Sequence, residues 1–223
     1  VNIGAAIARE GYRVLLVDMD PQFNLSQSLG LQDNESSIYD SLIDGGRLPI
    51  ENVQTRLDIV PSDIVLIRAD IELAAQYKRE TFLQKRLEPI KHEYSYILID
   101  CPPALGILTQ NAIEASSEIF TPVAADFLAL KGYQVLSSAL RGIGREINRA
   151  FITRYDSRKI LNKNVLEHLR ASLGEKLFQT VIRENVALAE SPAKGKDIHT
   201  YSPGSYGSVD YLALTQEILK MNL

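Results

Sequence analysis

The sequence predicts an α/β protein, a three-layer sandwich in which a mostly parallel, twisted sheet is flanked by helices. Three observations predict it. Short apolar runs alternate with stretches of helical spacing along nearly the whole chain. Two of those runs, residues 12–18 and 96–100, read as strands buried on both faces. Both end in a carboxylate followed closely by proline, as Asp18-Met19-Asp20-Pro21 and Asp100-Cys101-Pro102-Pro103, so each strand stops at an acidic, stiffened loop. Ligands in open α/β sheets sit beyond the carboxyl ends of parallel strands, which directs Asp18, Asp20 and Asp100 at one crevice.

The elements follow in order. Residues 1–11 are an alanine-rich helical pattern with Gly11 as its stop, and they lead into strand 12–18. A small-polar loop covers 22–30, a short helix 36–43 ends at Asp44-Gly45-Gly46, and Leu57-Asp58-Ile59-Val60-Pro61 is the next strand. Ile71, Leu73, Ala74, Tyr77, Phe82, Leu83, Leu87 and Ile90 predict one or two helices over 69–91, returning the chain to strand 96–100. Beyond Pro103 the pattern repeats: helix 107–116, strand 119–123, a long helix 128–149, a strand ending Phe151-Ile152-Thr153, helix 160–173, strand 177–182 and a closing helix 209–221. The strand at Phe151 is short for a buried parallel strand, which predicts residues missing between Ala150 and Phe151.

Length and composition bound the function. The 223 residues, with no repeat, low-complexity stretch or linker, predict a single domain over 1–223. A net charge of −4 and a pI near 5.5 argue against strong nucleic-acid affinity by charge alone, leaving local basic patches. One cysteine excludes a disulfide framework within the chain, and no apolar run reaches membrane-spanning length, so the cytoplasm is the default compartment. His92, His168 and His199 lie in unrelated contexts and read as surface or packing residues.

Four blocks, VNIGAAIAREGYRVLLVDMDPQFNLSQSLG, YSYILIDCPPALGILTQNAI, ITRYDSRKILNKNVLEHLR and TVIRENVALAESPAKGKDI, run in order along the chain. Together they resemble the ParA/Soj partition ATPases, of the P-loop NTPase-like deviant Walker A group that also contains MinD and the nitrogenase iron protein. The resemblance implies ATP and Mg²⁺ as cofactors, an ATP-dependent homodimer, non-specific DNA, and a ParB-like partner that stimulates hydrolysis. It makes Asp20 the switch aspartate that orients the attacking water, where the residues alone also allow a loop cap. Asp18 is assigned to the metal's outer shell or the first switch, and Asp100 to the acid that holds magnesium through coordinated water. Pro102, Pro103 and Gly106 form the second switch turn.

Asp156, Arg183 and Asn185 match the adenine pocket, with turn formation as the alternative for Asp156 and Asn185. Relatives commonly carry proline where this chain has Arg183. Arg170 and Lys196 match DNA-backbone positions, with Lys163, Lys176 and Lys194 as possible additions to the patch. Ordinary surface solvation is the alternative for each of these residues taken singly. The family's glycine-rich phosphate loop, with its two lysines, directly precedes the helix that opens this chain. The expectation is therefore a truncated sequence whose natural protein has the loop, the alternative being a DNA-binding or scaffold protein that has lost it. A single cysteine cannot supply an iron–sulfur site, and the C-terminal residues 218–223, with one lysine, do not form the basic amphipathic helix of a membrane-targeted relative.

Overall fold

The computed structural model describes residues 1–32 and 35–221, so Asn222 and Leu223 of the C-terminal reading lie outside the described residues. The chain forms two compact units, Val1–Ser117 with Glu190–Tyr201, and Glu118–Ala189 with Ser202–Leu223.

The first unit runs α1 (Asn2–Arg9), β1 (Val14–Asp18), α2 (Asn24–Gln27), α3 (Ile38–Ile43), β2 (Glu51–Gln54), β3 (Leu57–Val60), α4 (Ala69–Glu72), α5 (Phe82–Leu87), β4 (Tyr96–Asp100) and α6 (Ile107–Ala115). Its sheet has the order β2-β3-β1-β4, with β1 parallel to both neighbours and β2 antiparallel at the edge. All five β1 residues are buried, as the unbroken apolar run requires. β4 is only half-buried, which corrects the expectation of burial on both faces, because it ends this unit's sheet.

Leu15 and Val17 of β1 pack with Ile38 and Leu42 of α3, Leu83 and Leu87 of α5, and Leu108 of α6 in one core cluster. Gly4 brings α1 close to β1: a Cβ there would lie 2.6 Å from Leu16 Cδ2. Ser37 caps α3 in a reciprocal box, Tyr39 N donating to Ser37 Oγ and Ser37 N to the Asp40 carboxylate. The helical stretch expected over 69–91 is broken into α4, a 3₁₀ turn at Arg79–Thr81 and α5. The break falls at Lys78, whose φ of 53° is left-handed and incompatible with a continuous helix. The loop 22–30 contains the short helix α2, entered through Phe23, also left-handed.

The second unit runs β5 (Phe120–Ala124), α7 (Phe127–Gly142), β6 (Arg149–Tyr155), α8 (Ile160–Leu173), β7 (Leu177–Arg183) and α9 (Val186–Glu190). Then α10 (Ile198–Tyr201) belongs to the first unit and α11 (Tyr206–Leu219) returns to the second. Its sheet, β5-β6-β7, is wholly parallel. Asp126 caps α7 through Ala129 N, and Ser205 caps α11, whose first residue lies three before the predicted start.

The long helix expected to reach Arg149 stops at Gly142, and Gly144 at φ +75° turns the chain. Arg149 and Ala150 are strand residues paired with Phe120 and Thr121. β6 is therefore seven residues long, and the short-strand reading at Phe151 is corrected. Periodicity misread this stretch because Ile143, Ile147 and Ala150 sit at helical spacing while the glycines that end the helix lie inside the run.

Candidate functional site

Parallel pairing of β1 and β4 sets Asp18 opposite Asp100, and the same junction is closed by Met19 N donating to the Asp100 carbonyl at 2.8 Å. The register alone delivers two carboxylates to one sheet edge. What each can do depends on which hydrogen bonds it already accepts.

Asp18 is fully engaged. Its Oδ1 accepts from Asp20 N at 3.1 Å, and its Oδ2 accepts from Ser26 N at 2.9 Å and Ser26 Oγ at 2.7 Å. Ser26 Oγ accepts in turn from Ser62 N at 3.0 Å, so the loop after β1 and the end of β3 are tied through one buried hydroxyl. Burial pushes the Asp18 carboxyl up to about 6 and the Asp100 charge adds to it, opposed by the Ser26 and Asp20 donors.

Asp20 is half engaged. Its Oδ1 accepts from Gln22 N at 2.9 Å, and its carbonyl accepts from Phe23 N at 2.8 Å and Ser62 Oγ at 2.9 Å. The backbone of Asp20 is thereby fixed while Oδ2 accepts no hydrogen bond among the described residues. The turn-capping and water-orienting roles use different oxygens of one carboxylate and coexist.

Asp100 is free. Among the described residues its carboxylate accepts no hydrogen bond, and it lines a cavity of about 240 Å³ together with Asn2, Asn24, Ser28, Ser191 and Lys196. Loss of surrounding water, then the Asp20 carboxylate, raises Asp100 above the ordinary carboxylate range. The Asp100 side chain opens on the cavity. Cys101 beside it is half-buried, and burial pushes its thiol up to about 12, so it has no thiolate character at neutral pH.

The turn after Asp100 is held by Thr109, whose Oγ1 donates to Ala104 O at 2.6 Å, and Gly106 opens α6. Sequence reasoning missed Ser26, Ser62 and Thr109. Their only signal was a small hydroxyl residue in a polar loop or first helical turn, a pattern shared by many others in this chain.

These residues fit a hydrated divalent cation. Mg²⁺ keeps most of its waters and takes one or two carboxylates, and the site offers one carboxylate without hydrogen bonds on an open cavity. Among the described residues no cluster of three His, Cys, Asp or Glu side chains forms a closed metal cage.

In the second unit, Tyr155 and Arg183 are register partners at the ends of β6 and β7, which brings Asp156 and Glu184 together. Asp156 accepts from Arg158 N, Nε and NH2, and those donors hold its carboxyl well below the usual range. Its backbone N donates to the buried Asn162 Oδ1 at 2.7 Å, and Asn162 Nδ2 donates to Ala125 O at 2.6 Å. One amide therefore fixes the Asp156 loop against the end of β5.

Arg183 forks onto Asp210 through Nε and NH2, lies 4.0 Å over the Tyr206 ring, and also donates its backbone N–H to Asp210. Proline could make none of these polar contacts. Asn185 Oδ1 is buried and has no hydrogen-bond partner among the described residues. Arg170 is exposed on α8, and Lys176 is paired with Glu146 at 2.8 Å.

A family described as an AAA domain matches residues 1–153. The chain is 39% identical over 233 residues to the sporulation initiation inhibitor protein Soj of Bacillus subtilis (strain 168), covering 98% of this chain and 90% of that protein. It is 36% identical over 230 residues, with the same two coverages, to the chromosome-partitioning ATPase Soj of Treponema pallidum (strain Nichols). Among solved structures, cobyrinic acid a,c-diamide synthase from Mycobacterium smegmatis with bound ADP and magnesium superimposes with a TM-score of 0.82 at 27% identity, covering 98% of this chain and 86% of that one.

Proposed function

Because this chain belongs to the ParA/Soj family of partition ATPases, we propose that it is the body of a DNA-partitioning switch that binds Mg²⁺–ATP and hydrolyses it to ADP and phosphate. The observation that carries the reading is the graded engagement of three strand-end carboxylates: Asp18 saturated, Asp20 with one oxygen open, Asp100 without hydrogen bonds on a cavity.

Each has a distinct task. Asp18, through Ser26 and Ser62, holds the loop after β1 in place, so the reacting geometry needs no reorganisation at the moment of reaction. Asp20 keeps Oδ2 to accept a hydrogen bond from the attacking water and hold it in line with the terminal phosphate. Asp100 accepts hydrogen bonds from water around the ion. Magnesium, when bound, neutralises charge on the phosphate oxygens. In the second unit, the buried Asn185 Oδ1 supports an acceptor for a ligand N–H such as the adenine amino group, since a buried carbonyl without a donor is costly.

The wider reading is a nucleotide-dependent homodimer that binds DNA without sequence preference in the cytoplasm, on the nucleoid, and is released when a ParB-like protein stimulates hydrolysis. Bound γ-phosphate would order the loops after β1 and β4, and its loss would relax them. A small-molecule ligase of the same fold is less favoured, because identity to the Soj proteins is 36–39% against 27% to the synthase.

The test is ATP hydrolysis by the complete gene product with and without DNA, alongside Asp20→Ala. Asp20→Ala is expected to lower turnover by at least 100-fold, within the range known for positioned electrostatic groups, while ATP-dependent dimerisation persists. A complete product that neither binds nor hydrolyses ATP would overturn the ATPase reading and leave the scaffold alternative.

A further inference from the structure

Segment Glu190–Tyr201 is inserted between two stretches of the second unit yet packs in the first. Its anchor is Asp197, a fully buried carboxylate. Oδ2 accepts from Gln54 Nε2 at 2.8 Å and Thr200 Oγ1 at 2.6 Å, and Oδ1 accepts from His199 N at 2.8 Å and Thr200 N at 3.0 Å. Arg9 of α1 donates to Thr200 Oγ1 at 2.8 Å, and Ile198 N donates to Asn2 Oδ1 at 2.9 Å. Gly195, at φ +61°, passes so close to the loop after α2 that a Cβ would lie 3.1 Å from Gly30 Cα. The segment is therefore clamped between the two ends of α1 and that loop.

The clamp presents one unused charge. Lys196, whose N–H donates to Ser191 O at 3.2 Å, is the one cationic side chain among those lining the cavity that holds Asp100. It makes no ion pair among the described residues, because the adjacent acid, Asp197, is already engaged by its four donors and by Arg9 at 3.9 Å. A cavity edged by Asp100 and, nearby, Asp20 repels a polyanion unless a cation faces it.

We propose that Lys196 is a phosphate-contacting residue of the nucleotide site, positioned by the Asp197 anchor, rather than a contact to the DNA backbone. The inference rests on the nucleotide reading above. Loss of one charge-assisted contact to phosphate corresponds to about tenfold or more in affinity.

The experiment is titration of the complete gene product, in magnesium, with fluorescent AMP, ADP and ATP, for wild type, Lys196→Ala, Lys196→Arg and Asp197→Asn. Lys196→Ala is expected to weaken ATP about tenfold and to narrow the gap between ATP and AMP, with Lys196→Arg recovering most of the loss. Asp197→Asn should follow Lys196→Ala in part, and DNA affinity measured at saturating ATP should be unchanged in Lys196→Ala. Wild-type ATP binding with an unaltered Lys196→Ala overturns this inference alone, as does loss of DNA affinity with nucleotide affinity intact. A wild-type protein that binds no nucleotide overturns both this inference and the reading beneath it.

Discussion

At the scale of single residues, the decisive side chain is one that carries no charge. Ser26 Oγ donates to Asp18 and accepts from Ser62 N–H, all within a buried site. Ser26→Ala removes one of the three donors of a buried carboxylate and orphans a buried amide. The expected cost is roughly 2–3 kcal/mol of stability, read as a lower urea midpoint with an unchanged slope. Ser62→Ala, which only frees the Asp20 carbonyl from one donor, should cost about 1 kcal/mol in the same measurement. The acids were legible in the sequence because a strand followed by Asp and Pro has few alternatives. The hydroxyls were not, since their role comes from β3 ending beside the loop after β1, a pairing between residues 36 apart in the chain.

At the scale of elements, the clamp formed by α1, β2 and α10 carries a pH dependence. His199 is buried, its Nε2 lies 3.1 Å from Asn2 O, and the charged groups acting on it are Asp197 and Arg9. Burial holds the imidazole below its ordinary value, with Arg9 acting in the same sense and the Asn2 carbonyl and Asp197 opposing. The unfolded chain therefore takes up a proton first as pH falls, so stability is lost on acidification through about 6.5, the unfolded value. Asp197 is depressed by its donors, led by Thr200, despite burial, and its contribution is lost at lower pH still, as pH falls through its folded value. Asp18, raised to about 6, takes up its proton in the folded state first and opposes this loss as pH falls through about 6. The His199 contribution is therefore read as the difference between two curves: between pH 7.5 and 5 the unfolding free energy of wild type should lose more than that of His199→Asn. An equal loss in that variant would remove His199 as the source.

The sequence could not reveal this clamp. β2 is a short polar edge strand with no periodic signal, and α10 spans only four residues. By contrast α6, α8 and β7 were readable within a residue or so, because their apolar spacing and their end signals agree. α7 was overextended where spacing and glycine signals disagreed. Element existence was set by local pattern, and element ends by contacts the pattern does not contain.

At the scale of the whole molecule, a protein of net charge −4 can hold DNA only through a local concentration of unpaired cations. The ion pairs sort the candidates: Lys176 is neutralised by Glu146, whereas Arg170 and Lys163 are exposed and make no ion pair among the described residues. They stand seven residues apart on α8, which places them on one face about 10 Å apart along the helix axis. Glu167, four residues from Lys163 and three from Arg170, occupies the same face and opposes an approaching phosphate. Two substitutions on one helix should therefore move DNA affinity in opposite directions. Measured in saturating ATP across a salt series, Arg170→Ala should lower affinity for any sequence alike and reduce the slope of log K against log salt by about 1. Glu167→Gln should raise affinity severalfold at low salt with little change in slope, since it removes a repulsion without adding a released counterion. If both variants bind as the wild type does, α8 is not the DNA-facing element and the patch must be sought elsewhere on the surface.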